Sequence, residues 1–89
     1  MTPFQVGQTL PDVLRVTKRT GRTLREIEFG SADGGKVTIP VDRKTDIQQK
    51  LAIMGVDTKQ VFWYIRRVYN DCELEFRFID GHYRVTEVR

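Results

Sequence analysis

The sequence has one cysteine, Cys72, and one histidine, His82, among its 89 residues. A lone cysteine excludes an internal disulfide, and one residue of each kind cannot complete a structural zinc site. Long apolar runs are also missing. The longest, Val61 to Ile65, is far short of the roughly 20 residues that cross a bilayer, so no membrane partner is expected. The first residues, Met1-Thr2-Pro3-Phe4-Gln5, lack the charged segment and apolar run of a secretory leader. Together with the cysteine usage this sets the expectation of a reducing, cytoplasmic setting.

Groups suited to catalysis are equally scarce. His82 sits just after a turn signal and has no evident orienting partner. Cys72 lies between Asp71 and Glu73, whose charges disfavour a thiolate, so it reads as a buried inert thiol. The Gly30–Gly35 loop holds a single carboxylate, Asp33, too few for calcium. It is not a phosphate loop either, because it lacks a Lys-Ser/Thr pair and leads into a strand instead of a helix. No catalytic residue, metal ligand or cofactor is expected. Nor is a small-molecule substrate, because a chain this short has few apolar positions to spare for a cavity.

What is present is an ordinary globular balance, 39% hydrophobic and 30% charged, with a net charge of +3. Residues 1–11, with Pro3 and Pro11, read as an extended arm tied down by Phe4 and Val6, and residues 12–89 as one domain. Val13 to Lys18 alternate with Leu14 and Val16 on one face, as a strand does, and Thr20-Gly21 supplies a turn. Thr23 to Phe29 continue as a strand, with Ile27 and Phe29 on one face. Leu24 breaks the two-residue period, which places a bulge near Arg25. Lys36 to Ile39 form a third strand that pairs back, ended by Pro40.

Thr45-x-x-Gln48 has the form of a capping box, and Ile47, Leu51 and Met54 continue at helical spacing. Gly55 sits where a left-handed cap belongs, with Val56 placed to contact Leu51. Asp57 then reads as the cap of a second helix, Thr58 to Asn70, with Val61, Phe62, Ile65, Val68 and Tyr69 on its apolar face. Cys72, Leu74, Phe76 and Phe78 alternate with charged residues, and Asp80-Gly81 is a strong two-residue hairpin signal leading to Tyr83 and Val85. The expected class is α+β, an antiparallel sheet of about five strands in the order β-β-β-α-α-β-β with the helix pair packed on one face.

Two surface constellations stand out. On the polar face of the second helix, Trp63 would be grouped with Lys59, Arg66, Arg67 and Asn70, a composition that suits a protein-binding hot spot. The alternative there is a Trp63 packed beneath the hairpin or the arm, with arginines over its ring. The second is the stretch from Arg15 to Arg25, where Arg15, Lys18, Arg19, Arg22 and Arg25 occur without an acid. As a two-stranded ribbon it could track a phosphate backbone, or it could be a charged edge that discourages pairing between sheets.

Ile39-Pro40, Lys44, Ile47, Leu51, Met54-Gly55-Val56 and Val61-Phe62 resemble the segment C-terminal to the core of FRG-domain proteins. In those proteins an Ile-Pro strand end leads into a helix, a Gly break and a Leu-Phe pair. The resemblance spans residues 36–62 and departs at Trp63-Tyr64, where that family tends to have a proline. Nothing resembling the family's Phe/Arg/Gly core is present, and no activity is implied for this chain. The expectation from all of this is a small non-enzymatic protein that docks to and occludes a protein partner. Phage or mobile-element inhibitors and accessory proteins, of anti-CRISPR type among others, have this size. The alternative is a nucleic-acid-binding protein that uses the basic segment.

Overall fold

A computed structural model describes residues 2–89. The elements run α1 (Leu10–Thr20), β1 (Leu24–Gly30), β2 (Lys36–Pro40), α2 (Ile47–Ile53), β3 (Tyr64–Tyr69), β4 (Glu73–Ile79) and β5 (His82–Val88). The strands form one antiparallel sheet in the order β2-β1-β3-β4-β5. Side chains alternate across it, so Ile27, Phe29, Ile39, Ile65, Leu74, Phe76 and Val85 bury one face together with Val13 of α1 and Leu51 of α2. The α+β class, the five antiparallel strands and the helices on one face agree with expectation. The order of elements does not, because two segments change type.

Residues 13–18, expected as a strand, lie inside α1. Leu14 and Val16 fit an alternating period and Val13 and Val16 a helical one, and the ends decide between them. Thr9 is the N-cap, its Oγ1 accepting from the Asp12 N–H at 3.4 Å, and Pro11 occupies the first turn. Gly21 closes the helix, with the Arg22 N–H donating to the Thr17 carbonyl at 3.1 Å.

Residues 64–69, expected within a second helix, are the central strand β3. Tyr64 and Ile65 are adjacent and both buried. A strand between two others can bury consecutive residues on its opposite faces. The β-branched and aromatic residues of this stretch favour that outcome. Asp57 caps no helix; its Oδ1 accepts from the Lys59 N–H at 2.9 Å and closes a local turn. The cap of α2 also shifts by one residue. Asp46 accepts from the Gln49 N–H at 3.1 Å, while Thr45 is occupied with Asp42.

Three local expectations hold. Gly55 has φ 78°, and the Gly55 and Val56 N–H groups donate to the Ala52 and Leu51 carbonyls, the paired bonds of a Schellman cap. Asp80 and Gly81 both have positive φ at the β4–β5 turn. The β1–β3 register shifts between Leu24 and Glu26, at the expected bulge.

The N-terminal segment is bound into the domain. The Gly7 N–H donates to the Val85 carbonyl at 2.8 Å, and the Val85 N–H donates to Gln8 at 2.9 Å, so this segment lies along the β5 edge. Phe4 is buried and stacks on Tyr69 at 6.0 Å between ring centres, whereas Val6 is exposed and ties nothing down. Among the described residues no strand lies beyond β2, and no helix is long and apolar enough to cross a membrane.

Candidate docking surface

The sheet face away from the helices is lined by charge. Arg66 sits at its centre and hydrogen-bonds to Glu26 (2.8 Å), Glu28 (3.2 Å) and Glu73. Arg89 reaches Glu73 at 3.3 Å and Glu87 at 2.8 Å, and Arg77 pairs with Glu75 at 3.0 Å. Burial works to raise the Glu28 carboxyl, but hydrogen bonds from Arg66, Thr38 and Tyr64 outweigh it and hold Glu28 below the usual range. Arg66 likewise holds Glu73 low, and Glu73 in turn raises the Arg66 guanidinium further. These groups satisfy one another, which leaves little unbalanced charge for a ligand.

Trp63 lies at one end of this face. Its N–H donates to the Gly30 carbonyl at 3.1 Å, extending the β1–β3 ladder, and its indole covers Gly30. A Cβ at Gly30 would fall 2.8 Å from Trp63 Nε1, so only glycine permits this seat. The Arg77 guanidinium stands 4.4 Å from the Trp63 ring centre and 4.8 Å from that of Tyr64. Lys36 Nζ stands 4.5 Å from the Tyr64 ring centre and 5.8 Å from that of Trp63. Burial first, and then the neighbouring Glu28 carboxylate, push the Tyr64 hydroxyl up to about 12, so it stays protonated. Trp63 remains 39% exposed, which makes it a braced aromatic side chain with an open flank.

The grouping expected around Trp63 is not formed. Arg66 shares its face but is held by glutamates. Arg67 lies on the opposite face, its Nε donating to the Tyr69 hydroxyl at 2.7 Å. Asn70 comes just after β3 at the far end, roughly 20 Å away along the strand, and accepts from Arg25 Nη1. Lys59 is exposed in the loop before Trp63. Helical spacing would have stacked these residues, and a strand disperses them. The cations that do flank Trp63, Arg77 and Lys36, are the cross-strand partners of Tyr64 and Gly30, and only the true register brings them there.

The basic segment forms no ribbon. Arg15, Lys18 and Arg19 share the outer face of α1 and are exposed, with Arg15 paired to Asp12. Arg22 bonds to Asp71 at 2.9 Å and lies over the Phe4 ring. Arg25 is engaged by Asn70. Cys72 is buried, and burial followed by the Asp71 charge raises its thiol, the wrong direction for a nucleophile. His82 is exposed at the start of β5. Among the described residues no group of three or more His, Cys, Asp or Glu side chains is placed to hold a metal.

A feature the sequence did not suggest lies beside β2. The Ser31–Gly35 loop, the start of β2 and residues 55–62 enclose an open groove of about 540 Å³. Phe29, Val37, Val56 and Phe62 line it, with Asp33 and Asp57 at the rim. Phe29 and Phe62 pack at 4.7 Å between ring centres. Comparison with known proteins finds no matching family, no matching curated protein and no matching solved structure.

Proposed function

We propose that this chain is a non-enzymatic binding module that docks to a protein partner through the end of the sheet bearing Trp63 and acts by covering that partner's surface. The occlusion expected from its size, of the kind used by phage and mobile-element inhibitors of anti-CRISPR type, is part of this reading. The observation that carries it is the state of Trp63: 39% exposed, yet braced on Gly30 and flanked by Arg77 and Lys36. A pre-ordered aromatic side chain loses little entropy on binding, and burial of its open flank contributes about 2 kcal/mol. Tryptophan and arginine together are the usual composition of such anchors.

The test compares partner capture from the native host by the parent and by Trp63→Ala, read by mass spectrometry. Because Trp63 is partly packed, the substitution is expected to lower stability by about 1–2 kcal/mol and leave the chain folded, while capture is lost. A folded Trp63→Ala that captures the same protein as the parent removes this reading.

A second reading, nucleic-acid binding, is favoured by one observation: Arg15, Lys18 and Arg19 lie together, exposed, on the outer face of α1. Its weakness is that Arg15, Arg22 and Arg25 are engaged by Asp12, Asp71 and Asn70.

A further inference from the structure

One side of the sheet is closed by the chain itself and the other is open. Along the outer edge of β5 the Gly7–Thr9 segment already hydrogen-bonds to Val85 and bridges to Arg84. Along β2 no described residue does, and hydrogen-bond parity shows which groups are left over. The Val41 N–H donates to Arg25 and the Ser31 N–H to Gly35, in register with Ile27 opposite Ile39. In an antiparallel ladder the bonded positions alternate, so the odd-numbered residues of β2 bond to β1. The main-chain groups of Lys36 and Thr38 therefore point outward. Pro40 has no N–H to offer and limits the free edge to those two positions.

This short edge runs beside the groove. Val37 faces the groove from between Lys36 and Thr38, and Trp63 lies beside Lys36 on the opposite face. We propose that the β2 edge accepts an extended segment of the partner as an additional strand. One apolar side chain would seat in the Phe29–Phe62 groove, and a lysine or arginine two positions along on the same face would meet Asp33 or Asp57. This rests on the protein-docking reading and specifies the partner's chemistry.

An extended segment suits both features at once. A helix satisfies its own main-chain groups and a small molecule would leave the ladder unpaired, whereas a strand supplies the missing donors and acceptors. Alternation then sends neighbouring residues to the groove and to the Trp63 side. The groove volume falls within the range of side-chain and ligand sites, and its floor is apolar. Its rim offers two carboxylates, and the Ser31 hydroxyl followed by the Gly35 N–H hold Asp33 below its usual range, so it is ionised at neutral pH.

The experiment pans a displayed library of random extended heptapeptides on the full chain and measures the consensus peptide by fluorescence anisotropy. The expected consensus is apolar–any–basic. Thr38→Pro removes one outward N–H without touching a main-chain bond to β1, although it also loses the Thr38 hydroxyl bond to Glu28 at 3.1 Å, and should weaken the peptide by about tenfold or more. Ala32→Trp, at an exposed position lining the groove, should do the same by filling it, and it decides the matter if Thr38→Pro fails to fold. Asp33→Asn with Asp57→Asn should weaken binding several-fold and remove the preference for a basic residue. No consensus, or a consensus peptide whose affinity both blocking variants leave unchanged, overturns the proposal. A partner captured through Trp63 but indifferent to Thr38→Pro and Ala32→Trp overturns strand addition alone and leaves the docking reading standing.

Discussion

Arg66 faces Glu28 across the β1–β3 ladder, and its Nε donates to Glu28 Oε1 at 3.2 Å. The same guanidinium bonds to Glu26 and Glu73, so one side chain on the central strand fastens both neighbouring strands. Its removal would leave three carboxylates crowded on one face. Arg66→Met should therefore lower stability at pH 7 by about 1–3 kcal/mol, chiefly through uncompensated charge. The pH dependence has a definite sign. Glu28 and Glu73 titrate below the ordinary range in the folded protein. Their stabilisation is thus full above the unfolded carboxyl value of about 4.3 and is lost as the pH falls through their lower folded values. In Arg66→Met the crowded carboxylates gain from protonation instead. The gap between parent and variant in urea titrations should narrow from pH 7 to about pH 3.5. A gap that stays constant would show that Arg66 acts through packing alone.

Phe4 joins the core from the N-terminal segment, stacked on Tyr69 beneath the Arg22 guanidinium. A segment that merely lay on the surface would tolerate truncation. Burial of Phe4 in the main cluster makes Phe4→Ala a cavity-forming change costing about 3 kcal/mol. Val6→Ala, at an exposed position of the same segment, should change stability by less than about 0.5 kcal/mol. Equal effects from the two in a thermal melt would contradict the contrast in burial.

The parts of this fold legible in the sequence are those set by local chemistry. Gly55 as a helix cap, Asp80-Gly81 as a hairpin turn and the alternating strand before it need no knowledge of distant residues. The two misread segments are apolar stretches whose spacing fits both periods. For residues 13–18 the deciding signals were present: Thr9 three residues before Asp12, Pro11 in the first turn and Gly21 just past the end. For residues 64–69 no local signal suffices, because each face of β3 carries two apolar residues and one arginine, so neither is marked as the buried one. The site inherited the error. Trp63 was visible as an exposed aromatic residue, but its real neighbours Arg77, Lys36 and Gly30 come from three other strands and depend on register.

Gly30→Ala tests the seat of Trp63 directly. The new methyl would lie 2.8 Å from Trp63 Nε1 and 3.0 Å from Cε2, with the Tyr64 Cβ at 3.1 Å behind it. The indole must lift away. As the chain has one tryptophan, its fluorescence reports the move without interference. The expected result is a red-shifted emission, a loss of about 1–3 kcal/mol from overpacking and weakened partner capture in protein that remains folded. An unshifted emission spectrum would mean that the ring has another resting place.

Lys18 and Arg19 separate the two functional readings. They lie on the outer face of α1, in the helical layer, whereas the Trp63 ring lies over Gly30 on the opposite side of the sheet. Reversing both to glutamate loses a favourable interaction with the helix C-terminus, so stability should fall by about 1 kcal/mol at most. If docking occurs through Trp63, capture of the protein partner is unchanged by the double reversal. If the α1 face binds nucleic acid, affinity should fall for every sequence tested, and the slope of log affinity against log salt should shrink by about 2, one for each lost phosphate contact. Parent protein that binds neither duplex nor single strand at low salt removes the nucleic-acid reading. Loss of protein capture in the double reversal would instead move the docking surface from the sheet to α1.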